Sequence, residues 1–332
     1  MRLGYTTFIL AIATAAPALA QDPPGDPTHG SLSILEENDI FFNTDKHYTN
    51  GTALAYTTPA LSHDNWAVSA ADFLPFFQDH GKGYEVRATY ELGQDIFTPA
   101  NTQIATPDPT DRPYAGFLFA GLGVLSKTSN RQDQLLMQVG VVGPASLAED
   151  AQNFVHGILG DKKDLGWSHQ LRDEPALEFT YDRSYRTSPI HVLWFEWDTG
   201  PSLGGAIGNV YDYAEAAWTF RAGLNLPDDF GPMRLNPSLP GSNYFEPRHP
   251  FSAYLFAGID GRAVLRNLFL EGNSFQPSPH VSEMPFVGDV VFGAAIETEF
   301  GRLAFTHDVR TKEFYTQKGS DQFGAVSLTI GL

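Results

Sequence analysis

Apolar and polar residues alternate with a period of two along most of this chain. A chain patterned in that way folds as strands with two unlike faces. Between Tyr84 and Leu92, one face carries Tyr84, Val86, Ala88, Tyr90 and Leu92, and the other Glu85, Arg87, Thr89 and Glu91. Further on, Leu303, Phe305 and Val309 oppose Arg302, Thr306, Asp308, Arg310 and Lys312. The last segment sets Val326, Leu328, Ile330 and Leu332 against Ala325, Ser327 and Thr329. The pattern predicts about twelve strands, near 31–38, 48–57, 83–93, 115–126, 132–142, 174–186, 191–198, 214–224, 251–259, 288–299, 302–315 and 321–332.

Two architectures accept such strands. A soluble sandwich buries the apolar face, whereas a membrane barrel turns it to lipid and keeps a polar lumen. The polar faces here hold Glu85, Arg87, Glu91, Glu178, Asp182, Arg310 and Lys312. A wet lumen tolerates that much charge better than a sandwich core does. The expectation is an all-β fold, one twelve-stranded antiparallel transmembrane barrel within residues 21–332, with a short helix in an outer loop. Composition points the same way: charged residues are 18%, below the usual figure of about 25%, while aromatics reach 13%. A net charge of -18 repels nucleic acid, and the absence of cysteine removes disulfides and thiolate metal sites.

Residues 1–20 read as a signal peptide. Arg2 is followed by a mostly apolar run from Tyr5 to Ala16, and Ala18-Leu19-Ala20 is a cleavage site. No later stretch has the roughly 18 apolar residues of a membrane helix. With the first strand starting on the inner side, the outward connections are 39–47, 94–114, 143–173, 199–213, 260–287 and 316–320. Two inner connections, 58–82 and 225–250, are long; Trp66, Phe73, Phe76 and Phe77 suit the first to the inner membrane interface. There is no internal repeat and no second domain.

The third outward connection contains a helix with readable ends. Ser146 and Glu149 form a capping-box pattern, and Gly160 is the expected stop. Glu149, Gln152, Asn153 and His156 share one face of it; Leu147, Ala151, Phe154, Val155 and Ile158 make the other. Each candidate has an ordinary reading too. His156 is a packed residue, Asn38-Asp39 an Asx turn, and Thr110–Tyr114 loop chemistry with a buried ion pair. No H-E-x-x-H occurs, and the glycines from Gly200 to Gly208 lack a following Lys-Ser/Thr.

The order of four motifs changes the weighing. Glu37-Asn38-Asp39 with Thr44-Asp45 and Tyr48-Thr49-Asn50-Gly51 comes first, then Gly93-Gln94-Asp95-Ile96-Phe97-Thr98-Pro99. Asp111-Arg112-Pro113-Tyr114-Ala115-Gly116 follows, and last Gly140–Pro144 with Gln152, His156 and Gly166–Leu171. Taken in register over essentially the whole mature chain, they resemble the LpxR-type lipid A 3'-O-deacylases. The resemblance implies a twelve-stranded outer-membrane barrel that hydrolyses the 3'-O-linked acyloxyacyl ester of lipid A with calcium. Its site would lie between the outer wall and the loop helix, with His156 as general base. Asn38, Asp39, Thr49 and Gln152 would complete the catalytic set, Asn38 and Asp39 would hold Ca2+, and Arg112 with Asp111 would meet substrate. A relative has glutamate six residues after the histidine, where this chain has Lys162 beside Asp161. The implied partners are lipopolysaccharide and outer-membrane lipids, with one chain sufficient. An outer-membrane phospholipase using Ser146 or Ser168, and a non-catalytic porin or structural barrel, are the alternatives.

Overall fold

The computed structural model describes residues 29–42, 46–62, 64–74, 77, 84–160, 162–235 and 237–332; the expected signal peptide and Asp45 and Asp161 lie outside them. Strands β1 (Ser31–Asn38), β2 (His47–Thr57), β3 (Glu85–Thr98), β4 (Ala115–Lys127), β5 (Arg131–Val142) and β6 (Glu174–Tyr185) pair in sequence, all antiparallel. After β7 (Ile190–Val192) the series continues with β8 (Phe195–Gly208), β9 (Tyr211–Leu224), β10 (Phe251–Asn267), β11 (Phe286–Thr298), β12 (Gly301–Arg310) and β13 (Asp321–Gly331). β1 pairs with β13 and β6 with β8, so the sheet closes. The three-residue β7 pairs only with the start of β8 and extends the β6–β8 hairpin. The barrel proper therefore has twelve strands.

The alternation resolves as expected for a wall between lipid and a polar interior. Leu54, Tyr90, Leu92, Phe179, Trp218, Leu255, Ile259 and Phe305 are exposed, whereas Arg87, Asp133, Arg221, Asp289 and Arg302 are buried. Val86 and Ala88 share the outward face of β3 but are covered by helix α1 (Trp66–Phe73) of the first long inner connection, through Ala67, Val68 and Ala71. Trp66 and Phe73 remain exposed on that helix.

The interior is filled. The second long inner connection, 225–250, folds into the lumen, where Leu226, Phe230, Met233, Leu235, Leu239 and Tyr244 are buried. Arg234 pairs with Glu37 at 2.8 Å and Asp308 at 3.1 Å. Asp229 accepts from Arg221 at 2.5 Å and also pairs with Arg302. Wall residues bond the plug backbone as well: Ser33 to Asn243 O, Gln132 to Gly241 O, and Arg310 to Pro237 O. Two gaps between plug and wall measure 10–20 Å³, about one water each, and a wider space of 270 Å³ lies among Glu85, Lys127, Asp228, Glu246 and Arg248. An open porin channel does not fit this interior.

Several strand boundaries differ from the sequence expectation. Residues 199–213 are not a long outward loop, because β8 and β9 run on and are joined by Asn209 and Val210 alone. Their glycines serve close packing: a Cβ at Gly204 would lie 2.0 Å from Asp182 Oδ1. β3 and β10 likewise extend outward, to Thr98 and Asn267.

Candidate active site

The outward rows of β1 to β3 change character near their outer ends. On β1 they run Leu32 and Ile34, then Glu36 and Asn38; on β2 Tyr56 and Leu54, then Thr52 and Asn50; on β3 Leu92, then Gln94. Strand register aligns the polar ones across the wall as Glu36–Thr52–Gln94 and, one step further out, Asn38–Asn50–Ile96–Gly116. Thr52 donates a 2.5 Å hydrogen bond to Glu36 Oε2, and the Asn50 amide donates to Oε1. A polar patch on a lipid-facing wall is costly unless covered or used.

Helix α2 (Ala148–Leu159) covers part of it. Ala148 and Ala151 pack with Ile96, Tyr114 and Trp167. Gln94 donates 2.6 Å to Ser146 O, and a Cβ at Gly116 would come within 2.2 Å of both Ala148 Cβ and Ser146 Oγ. The helix thus rests directly on the wall backbone. Asn50 and Asn38 follow Ile96 in the same row, about 5 and 10 Å along at the usual strand spacing.

The amphipathicity of α2 faces the opposite way from a soluble helix. Phe154, Val155 and Ile158, with Leu147 just before the helix, are exposed, while Gln152 is buried and the His156 side chain is only 12% accessible. In lipid, the apolar face is the solvent face. The capping box is not formed. Ser146 belongs to the 3-10 turn Pro144–Ser146 and gives its hydroxyl to Gly143 O at 2.6 Å, so α2 starts from left-handed Leu147. Packing of Ser146 into the Gly116 gap overrides its capping tendency. Gly160 does end the helix in the left-handed conformation, φ 77.

His156 is held through one nitrogen. Its Nδ1 lies 3.0 Å from Lys162 O and 4.0 Å from Asp164 Oδ1. Because Nδ1 faces a carbonyl, it carries the proton of the neutral ring, leaving the lone pair on Nε2. Asp164 is buried, and burial pushes its carboxyl above the ordinary range, against the opposing pull of Thr102 and His156. One turn before His156, Gln152 Oε1 accepts a 3.1 Å bond from Trp167 Nε1, and the buried Gln152 amide nitrogen has no partner among the described residues. It is a donor available to a bound oxygen.

The other expected residues divide into two groups. Asn38 Oδ1 accepts from Ile40 N at 2.8 Å, the Asx turn, and buried Asp39 accepts from Lys46 N at 2.6 Å. Thr49 sits at a bulge in the β2–β3 register, bonded to Thr98 at 2.7 Å. These three lie beside the polar rows. Arg112 does not: it has no exposed surface, pairs with Glu313 at 3.2 Å and stacks on Phe97. Asp111 accepts from Ala100 N, Arg112 N and His47. Both residues join outer loops to one another. Asp164, Glu36 and Asn50 were absent from the sequence-based site. For Glu36 and Asn50 the signal was available, since apolar outward rows turn polar there.

For calcium, the side chains near Asn38 are hard oxygen donors, as that ion requires. Among the described residues no three His, Asp or Glu side chains gather at one point. Asn38 and Asp39 offer two oxygens whose chemistry fits that ion.

A closed, plugged barrel with a lipid-facing apolar wall and a lipid-facing helix laid on it defines an outer-membrane protein. The chain belongs to the LpxR outer membrane protein family, whose model matches residues 7–332. Membership implies lipid A 3'-O-deacylation, a hydrolase activity. LpxR from Salmonella typhimurium has a similar fold, with a TM-score of 0.72 at 21% identity over 90% of this chain and 99% of that one. The β domain of the Bordetella autotransporter BrkA aligns with 92% of this chain and 98% of its own at 8% identity, with a TM-score of 0.42. No curated protein matches.

Proposed function

We propose that this chain removes the 3'-O-linked acyloxyacyl group of lipid A by direct attack of water, with His156 as general base. The observation that carries the reading is the orientation of α2. Its apolar residues face the space a lipid occupies, whereas Gln152 and the His156 side chain are turned away from it against the protein. His156 Nε2 takes a proton from water as the oxygen attacks the ester carbonyl, and returns it to the departing 3'-hydroxyl. Lys162 O and Asp164 keep the ring oriented through Nδ1. The Gln152 amide donates to water or to the oxyanion. Asn38 and Asp39 would hold calcium, which when bound polarises the carbonyl and stabilises negative charge on its oxygen. Thr49 borders that end of the site. One chain suffices, because every residue named belongs to one barrel.

The phospholipase alternative needs a serine on the histidine. Ser146 Oγ is bonded to Gly143 O, and Ser168 Oγ lies 3.1 Å from His169 Nδ1. Neither arrangement supports an acyl-serine mechanism through His156. The test compares purified protein and His156→Ala on lipid A and on phosphatidylethanolamine, in detergent with calcium. Loss of the 3'-acyloxyacyl mass from lipid A alone, reduced about 10²–10⁴-fold in the variant, is expected. Fatty acid released chiefly from phospholipid, or a trapped acyl-serine, overturns it.

A further inference from the structure

A second histidine stands where three outer connections meet. His47 opens β2, is 3% exposed and has a left-handed backbone, φ 66. Such a conformation is strained in a non-glycine residue and persists where surroundings enforce it. Its Nδ1 lies 2.7 Å from Asp321 Oδ2 and 2.9 Å from Oδ1, and its Nε2 3.2 Å from Asp111 Oδ1. An ionised carboxylate only accepts hydrogen bonds, and a neutral imidazole has one N–H. Both contacts are satisfied together only by an imidazolium.

The neighbours complete a clamp. Lys46 Nζ is 3.1 Å from Asp321 Oδ1, and Gln317 donates 2.9 Å to Oδ2. From the connection after β3 come Asp111 and Arg112, the latter committed to Glu313 of the connection after β12. Partial burial pushes the Asp111 carboxyl up, but the bonds from His47, Ala100 N and Arg112 N outweigh it and hold it below the ordinary range. Phe314 closes the remaining side edge-on at 5.3 Å. Thr316 donates to Thr110 O at 2.5 Å, joining the same two connections.

What the clamp holds is the site. Lys46, adjacent to His47, gives its backbone N–H to Asp39 Oδ2, and Thr49 lies two residues beyond His47. We propose that His47 is a positioning residue that works as a cation: its charge locks the connection carrying Asp39 to the two loops opposite, and deacylation falls when alkaline pH removes it. This rests on Asn38 and Asp39 belonging to the deacylase site. When the proton leaves, one carboxylate faces a lone pair, and the clamp opens on that side.

The test titrates ¹⁵N-histidine-labelled protein in detergent by NMR and identifies the His47 resonance by its loss in His47→Gln. In parallel, amide exchange at Lys46 and the pH profile of lipid A deacylation are followed. His47 is expected to be doubly protonated above pH ~6.5, the ordinary histidine value. Lys46 exchange and loss of activity, about tenfold, should follow its titration. His47→Gln should be about tenfold less active without that alkaline limb, and His47→Gln with Asp321→Asn should recover part of the loss by removing the unpaired carboxylate. A His47 singly protonated at pH 6.5, Lys46 exchange indifferent to its titration, or the same alkaline limb in His47→Gln overturns the proposal. Protein inactive on lipid A at every pH removes the deacylase reading, and the titration and exchange then decide the clamp alone.

Discussion

Gly116→Ala is the smallest change that should move the catalytic helix without touching a catalytic group. The added methyl carbon would lie 2.2 Å from both Ala148 Cβ and Ser146 Oγ. Carbon atoms rest at about 3.5–4.0 Å, so α2 must retreat by roughly 1.5 Å. The methyl cannot escape inward, because Gly116 is part of a paired strand whose neighbours are Ile96 and, through Gly143 N, the chain leading to α2. A displacement near 1 Å can cost about 10²-fold in rate. The expected result is kcat/KM on lipid A lowered about 100-fold, with unchanged heat-modifiability of the barrel on gels. Gly157→Ala is the control, since a Cβ there meets nothing within 4 Å. It should keep full activity and stabilise the helix by about 0.5–1 kcal/mol. Activity of Gly116→Ala within about threefold of wild type would refute the view that α2 is set by the wall, because the threshold sits far below the expected 100-fold loss.

Further outcomes follow from the same geometry. Asp164→Asn should lower kcat about tenfold or more with little change in KM, because it alters the support of His156 and not lipid contact. Since burial raises the Asp164 carboxyl, its protonation as pH falls should contribute to the acid limb of the wild-type profile from above the ordinary carboxylate range, a contribution Asp164→Asn should lack. Asp229→Ala removes the carboxylate paired with the buried Arg302 guanidinium, while Arg221 keeps Asp198, and should cost about 3–5 kcal/mol in denaturant unfolding. Excess chelator should abolish turnover, and Asp39→Ala should raise the half-saturating calcium concentration about tenfold, which a calcium titration measures.

The barrel was legible because strand period, lumen charge and lipid-facing rows all derive from one alternation. Tyr90 and Leu92 against Arg87 and Glu91 already specified which face was wet. The lumen plug was not legible, since residues 225–250 have no period and their partners, such as Arg302 and Asp308 for Asp229 and Arg234, are distant in sequence. Glycines read as a loop between β8 and β9 instead make room for neighbouring strands, a property of pairing that spacing does not encode. At the site, the His156 and Gln152 face could be read from helical spacing. Ser146 could not, because its tertiary fit at Gly116 outweighs a local cap. Asp164 was hidden for a similar reason: it approaches His156 through a loop, not along a helix face.

The central claim is that the polar face of α2 hydrolyses an ester of lipid A reached from the surrounding membrane. Mass spectrometry of lipid A from cells making wild-type protein or His156→Ala, at equal levels of folded barrel, tests it most directly. The account predicts lipid A lacking its 3'-acyloxyacyl group with the wild type and intact lipid A with the variant. Identical lipid A in both, with purified wild type also inert on lipid A in calcium-containing detergent, would contradict it.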